Sequence, residues 1–295
     1  MKIVVTGSLG NISKPLIKIL KAQYHEIVVI SSNSKKTNDI EALGAKPAIG
    51  SIENGDFLST TFIGADAVYL MIPPNFKEFN SLEYYQRIAR NYKEAIKKSN
   101  IKHIIFLSSW GAHLSEGTGT ILGSHHAENI LSELDNVAKI FIRPVSIFYN
   151  LLNYIEMIKS YGFIGSNLKG EDKIAWVHPQ DIAKAISEEL VLTNKNIMKI
   201  RYVVSDEKTA YETAKILGEA IDFPNLDWVY FSDLDVKKSF VSRGLPEQFS
   251  QDLVDINTSI SSGKMGEHYK KNKPTFGSIN LKLYATEFAK AYYKQ

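Results

Sequence analysis

Between the β-branched run Lys2 to Thr6 and an amphipathic stretch beginning near Pro15 lies Thr6-Gly7-Ser8-Leu9-Gly10-Asn11-Ile12-Ser13. Glycines at a strand-to-helix turn let a backbone approach a pyrophosphate closely. The helix N-terminus that follows aims N–H groups and the positive end of its dipole at the charge. Thr6, Gly7, Leu9, Gly10, Asn11 and Ile12 are therefore the candidate cradle of a dinucleotide, and the competing reading is a tight turn with no ligand. Ser13 stands where a third glycine is usual, and its small side chain still allows close helix packing.

A dinucleotide site specific for NAD places Asp or Glu after the second strand, to hold the ribose diol. Here that strand, Ile27 to Ser31, leads into Ser32-Asn33-Ser34-Lys35-Lys36, with no acid before Asp39. Lys35 and Lys36 suit a 2′-phosphate, with Ser32 and Asn33 as hydrogen-bond donors. This favours NADP(H) over NAD(H). The alternative is a solvated, lysine-bearing surface loop.

The elements that must position these residues follow from periodicity. Lys2 to Thr6, Ile27 to Ser31, Ala67 to Ile72, Ile104 to Ser108 and Ile140 to Arg143 are short apolar runs of the buried-strand kind. Helical patterns lie between them: from about Pro15 with Leu16, Ile17 and Leu20 on one face, then Glu83 to Lys98 and His126 to Leu134. That alternation predicts an α/β fold with a doubly wound parallel sheet. Beyond Asn150 it loosens: a strand at Ile174 to Val177, a helix opened by His178-Pro179, a strand at Arg201 to Val204, and a capping box at Thr209-Ala210-Tyr211-Glu212. The expected organisation is a nucleotide-binding domain over 1–150 and a small α/β lobe over 151–295, mostly on the substrate side, with some segments returning to the main sheet.

The composition narrows the partners. Of 295 residues 44% are hydrophobic and 23% charged, with a net charge of +3, which is ordinary for a globular protein and too small to point to nucleic acid. No apolar run is long enough to span a bilayer, and none at the start resembles a secretion signal, so a cytoplasmic protein is expected. Without cysteine there is no disulfide, thiolate nucleophile or Cys-ligated zinc. His125 and His126 are adjacent, and the i+4 partner of His125 is Asn129, so the two-histidine spacing of a zinc helix is absent and no metal is expected. The cluster Lys270, Lys271 and Lys273 reads as a solvated loop.

The ordered motifs resemble the NmrA-like group of atypical short-chain dehydrogenases/reductases. They are the Thr6 to Ser13 loop, Ile72-Pro73-Pro74, Leu107-Ser108-Ser109-Trp110-Gly111-Ala112, His126-Ala127-Glu128, Ile142-Arg143-Pro144 followed by Asn150, and Trp176-Val177-His178 with Asp181-Ile182-Ala183. The resemblance covers nearly the whole chain. It implies a Rossmann domain binding NADP(H), with Ile72, Pro73, Ser108 and Pro144 added to the cofactor residues, and a small C-terminal lobe over the substrate. Pro74, Trp110, Phe148, Tyr149 and Trp176 are then the substrate-binding candidates, the aromatic ones by stacking on a flat ring. The chain departs from the group's pattern at Ser32, where an Arg is frequent, and at Ser51, where an acid is frequent.

Short-chain dehydrogenases more widely use a Tyr-x-x-x-Lys pair as general acid. Counting back from Glu128, the matching positions hold Thr120 and Ser124, neither of which does that work. Ser109 and His126 remain as the catalytic candidates, with Ser108 and Ser109 as oxyanion donors and His126 as a proton relay. The expected function is hydride transfer from NADPH to an electron-poor small molecule such as a quinone. Its rival is a non-catalytic NADP(H)-binding redox sensor that regulates a protein partner.

Overall fold

The alternation of apolar strands and amphipathic helices is realised in the computed structural model, which describes residues 1–75, 78, 80–191 and 197–294. Its strands in chain order are β1 Lys2–Val5, β2 Glu26–Ser31, β3 Lys46–Ile49, β4 Ala67–Leu70, β5 His103–Leu107, β6 Ala138–Pro144, β7 Ser146–Ile147, β8 Phe163–Ser166, β9 Lys173–Val177, β10 Met198–Val203, β11 Asp206–Thr209 and β12 Asp227–Tyr230. The chain divides into two compact units. One comprises Met1–Ala112, Gly123–Arg143 and Ile182–Arg201, the other His113–Leu122, Pro144–Asp181 and Tyr202–Gln295.

The main sheet has seven strands in the order β10-β6-β5-β4-β1-β2-β3. The pairs β1/β2, β1/β4, β2/β3, β4/β5 and β5/β6 are parallel. The row runs one way from β1 to β3 and the other way through β4, so a crevice opens beside β1 at the carboxyl ends of the strands. This is the doubly wound Rossmann arrangement. Its central strands β1, β4 and β5 are buried on both faces, and on one of them Val4, Val68 and Ile104 lie in one apolar core with Leu58, Ile88, Tyr92 and Phe141.

Three helix starts differ from the sequence reading, among them Ser81 in place of Glu83. The first helix, Ser13–Ala22, starts two residues ahead of Pro15. Proline is tolerated there because the first-turn N–H groups have no intrahelical partner. The helix expected from His126 starts at Leu122 and includes Gly123. A side chain on Gly123 would lie 2.5 Å from the ring of Tyr85, so the glycine marks a close approach to the helix Ser81–Ser99 rather than a loop.

The second unit holds a three-stranded sheet, β11-β9-β7, and a parallel pair, β12-β8. Its core gathers Phe148, Ile164, Trp176, Leu217, Trp228, Tyr284 and Phe288. The capping box at Thr209 forms with both of its hydrogen bonds. Asp181 does more than complement a helix dipole. Its carboxylate accepts from Ser205 Oγ at 2.6 Å, from Ser278 N and Oγ at 3.1 Å each, and from Ile279 N at 3.2 Å, pinning the stretch before the last helix. Lys270 and Lys271 stand on a short helix, Glu267–Lys271, and Lys273 pairs with Glu207 at 2.8 Å, so the expected lysine loop is partly helical and partly ion-paired.

Candidate cofactor and catalytic site

The glycine loop is built to leave donors open. Gly7 has φ +85°, and a side chain there would meet Met71 Cγ at 2.8 Å and Ser13 Oγ at 2.9 Å, so only glycine fits. Ser8 follows at φ +54°, a left-handed conformation that costs a non-glycine residue roughly 1–2 kcal/mol. Its N–H reaches Ile30 O at 3.1 Å and its hydroxyl reaches Ser31 Oγ at 3.0 Å, tying the loop to the end of β2. The amides of Leu9, Asn11 and Ile12 donate to no acceptor among the described residues. The helix Ser13–Ala22 has no side-chain cap and no acid in its first turn. A Cβ on Gly10 would touch only Gly7 O, at 3.2 Å. Unpartnered donors around a glycine that faces outward fit the pyrophosphate of a dinucleotide.

The side chains of Thr6 and Ile12 are supports, while the Ile12 amide stays with the open donors. Thr6 is fully buried, its Oγ1 accepts from Met71 N at 2.8 Å and its carbonyl accepts from Ser13 Oγ at 3.1 Å. The Ile12 side chain is buried in the core. Gly7, Leu9, Gly10 and Asn11 are the partly or fully exposed part of the cradle.

At the end of β2, Ser31 is buried and accepts from Asn33 N at 3.2 Å. Asn33 Oδ1 caps the short turn Ser34–Lys36 through Lys35 N at 3.0 Å, which leaves the Asn33 amide NH2 to donate. Ser32 and Lys35 are exposed and Lys36 half-buried, and neither ammonium has a partner among the described residues.

After β4 the segment Met71 to Pro74 is braced from the helix Ser81–Ser99. Tyr92 OH donates to Met71 O at 2.7 Å and Tyr85 OH to Ile72 O at 3.4 Å. Burial holds the Tyr85 phenol up at about 12, so both it and the wholly buried Tyr92 act as fixed donors rather than acids. The Ile72 side chain packs into the core. Pro73 is half-buried and Pro74 exposed.

The end of β5 is polar and closed. Ser108 Oγ donates to Glu128 Oε1 at 2.5 Å. Arg143 grips the same carboxylate, Nε to Oε1 at 2.9 Å and Nη2 to Oε2 at 2.5 Å. All three side chains are buried. The expectation that Ser108 serves as an oxyanion donor is therefore corrected, because its proton is committed to a carboxylate. Ser109 is half-buried and its hydroxyl has no partner among the described residues, so it is the free donor at this strand end. Trp110 is buried, 6% exposed.

His125 Nδ1 donates to Ala112 O at 2.9 Å and its Nε2 accepts from the Asn129 amide at 3.0 Å. His126 stands edge-on to it, 5.3 Å between ring centres, and its own nitrogens have no partner among the described residues. Burial first and His125 second push the His126 imidazole below its ordinary value, so it is neutral near pH 7. No group of three or more His, Cys, Asp or Glu residues among the described residues is arranged to hold a metal.

In the second unit Phe148 is fully buried. It stacks against Tyr284 at 4.8 Å and 9° and against Trp176 at 6.1 Å and 19°. Both of its faces are taken, so Phe148 and Trp176 are core residues and not a platform for a flat ring. Pro144 is likewise buried. Tyr149 remains half-buried, its phenol pushed up by burial. Tyr154 is pushed to about 12 by burial and packs edge-on against Trp228.

Glu128, Arg143, Tyr85 and Tyr92 carry no role in the sequence reading. Glu128 and Arg143 stand inside two of its motifs, but only the parallel pairing of β5 with β6, together with the packing of the helix Leu122–Ser132, brings Ser108, Glu128 and Arg143 together.

Comparison with known proteins agrees with this geometry. Residues 7–142 match the model of a family described as NAD(P)H-binding. An NAD(P)H azoreductase of Xenophilus azovorans is 21% identical over 257 residues, 86% of this chain and 85% of that protein. An NADPH-dependent quinone oxidoreductase of Escherichia coli, solved with NADPH, has a TM-score of 0.81 at 19% identity, over 97% of this chain and 99% of its own. The triphenylmethane reductase of a Citrobacter species, solved with NADP(H), has a TM-score of 0.77 at 21% identity, over 97% of this chain and 99% of its own. At these identities the likeness of the structures is one of fold. No helix among the described residues is long and apolar enough to cross a membrane.

Proposed function

We propose that this chain, whose residues 7–142 match the model of a family described as NAD(P)H-binding, is an NADPH-dependent reductase of electron-poor small molecules, quinones foremost. The observation that carries the reading is the set of open amide donors at Leu9, Asn11 and Ile12 beside a glycine that only a ligand need face. Those amides hold the pyrophosphate. Lys35 and Lys36, without an ion-pair partner among the described residues, meet the 2′-phosphate, with Ser32 and Asn33 as its donors. The bound cofactor supplies the hydride. A related azoreductase and the quinone and dye reductases of the same fold point to the same substrate class.

The residues available for proton handling set the substrate's chemistry. Reduction of an unactivated ketone forms an alkoxide and needs a strong acid, worth roughly 10²–10⁴ in rate. Tyr154 is partly buried against an apolar core and its phenol is pushed up to about 12, and the His126 imidazole lies below its ordinary value, so it is neutral near pH 7. A quinone yields a delocalised phenolate, for which the hydroxyl of Ser109 as donor and the N–H of His126 as relay suffice. The test is oxidation of NADPH, followed by its absorbance, with a panel of quinones against simple aldehydes and ketones. Turnover with quinones and none with ketones is expected. Robust ketone reduction would overturn the assignment of the acid, and tight NADPH binding with no acceptor at all would make the protein a redox sensor.

A further inference from the structure

The side chains at the end of β5 form a chain with a fixed direction. Arg143 donates twice to Glu128, and Glu128 Oε1 takes the proton of Ser108 at 2.5 Å. The three are 3%, 5% and 6% exposed. Removing Arg143 or Glu128 leaves its partner's buried charge uncompensated, so the arrangement is strongly held. A hydroxyl whose proton is committed in this way offers only lone pairs to whatever approaches it. Ser108 is thus an acceptor by construction, while its neighbour Ser109 is free to donate.

Sheet order says what approaches. From the glycine loop after β1, β2 lies on one side and β4 then β5 on the other. At about 4.8 Å per strand, Ser108 lies about 10 Å across the crevice from the loop, on the side away from Lys35 and Lys36. A dinucleotide with its pyrophosphate at the loop and its adenine ribose at β2 sends its other half toward β5. We infer that Glu128 and Arg143 are positioning residues that lock Ser108 as an acceptor for an O–H or N–H donor on the nicotinamide riboside half of the cofactor. This rests on the cofactor reading above and adds to it the polarity of one contact.

Direct binding separates the two. NADPH and adenosine 2′,5′-bisphosphate, which lacks the nicotinamide riboside, are titrated by calorimetry against the wild type, Ser108→Ala and Ser108→Thr. Ser108→Ala is chosen because Arg143 still satisfies Glu128. The expected result is that Ser108→Ala weakens NADPH by about tenfold, leaves the bisphosphate unchanged, and is rescued by Ser108→Thr. The 3-acetylpyridine analogue of NADPH, which has no amide N–H, then identifies the donor. An analogue that Ser108→Ala no longer discriminates against assigns the amide, and one weakened as much as NADPH assigns a ribose hydroxyl. Equal NADPH affinity in wild type and Ser108→Ala would overturn the inference, as would equal loss for NADPH and the bisphosphate. A wild type that bound neither ligand would overturn the cofactor reading itself, and this one with it.

Discussion

The ends of β1 and β5 belong to one sheet and treat their polar groups in opposite ways. After β1, three amides have no acceptor among the described residues, a serine is held at positive φ and the helix start has no side-chain cap. After β5, the serine, the carboxylate and the guanidinium satisfy one another out of water. A site that leaves donors open spends stability on a ligand yet to come. A closed site fixes direction before the ligand arrives. Closing off the open donors of the first should therefore appear mainly in binding, and breaking the ion pair of the second mainly in folding.

The largest effect is expected from breaking the closed end. Arg143→Met strands the Glu128 carboxylate in the interior and should cost about 3–5 kcal/mol of stability, read from urea denaturation. A loss under 1 kcal/mol would mean that water reaches the pair.

Gly7 and Gly10 then sharpen the contrast within the open end. Gly7→Val meets both the strained φ and the contacts with Met71 and Ser13, so it should lower the melting temperature and solubility. Gly10→Val has no positive φ to satisfy, so it should melt near the wild type and lose cofactor. Equal melting losses in the two variants would erase the distinction.

A smaller and selective effect is expected at β2. Lys35→Glu should weaken NADPH several-fold more than NADH, and rising salt should narrow the gap because exposed charge pairs are screened. Equal losses for both cofactors would make the lysine plain surface charge.

The smallest effect concerns pH. The His126 imidazole lies below its ordinary value, so between pH 7 and 8 it stays neutral and the quinone rate should be flat, with a change only on the acid side. Loss of that acid-side change in His126→Ala would assign it. A profile in His126→Ala identical to the wild type would remove His126 from the proton path.

The open end was legible in the sequence because it is local. A strand, a glycine turn and a helix lie within the first 22 residues, and the loop with its lysines follows one strand later. The capping box at Thr209 was legible for the same reason. The closed end was not, since Ser108, Glu128 and Arg143 are joined only by strand pairing and by a helix whose Gly123 reads as a loop until Tyr85 is packed against it. Phe148 and Trp176 failed as a stacking platform because sequence marks an aromatic residue near a strand end without telling whether Tyr284, over a hundred positions on, covers its face. The helices Asp233–Ser242, Glu247–Ser261 and Leu281–Lys294 have no counterpart in the sequence reading. The first has only Val236 buried, so its apolar stripe is too thin to signal a helix.

The central claim is that the amides after β1 hold a dinucleotide's pyrophosphate, and titration of Gly10→Val with NADPH tests it most directly. A variant that melts within a few degrees of the wild type yet binds NADPH at least tenfold more weakly, about 1.4 kcal/mol, is the predicted result. An unchanged dissociation constant in the folded variant would contradict it.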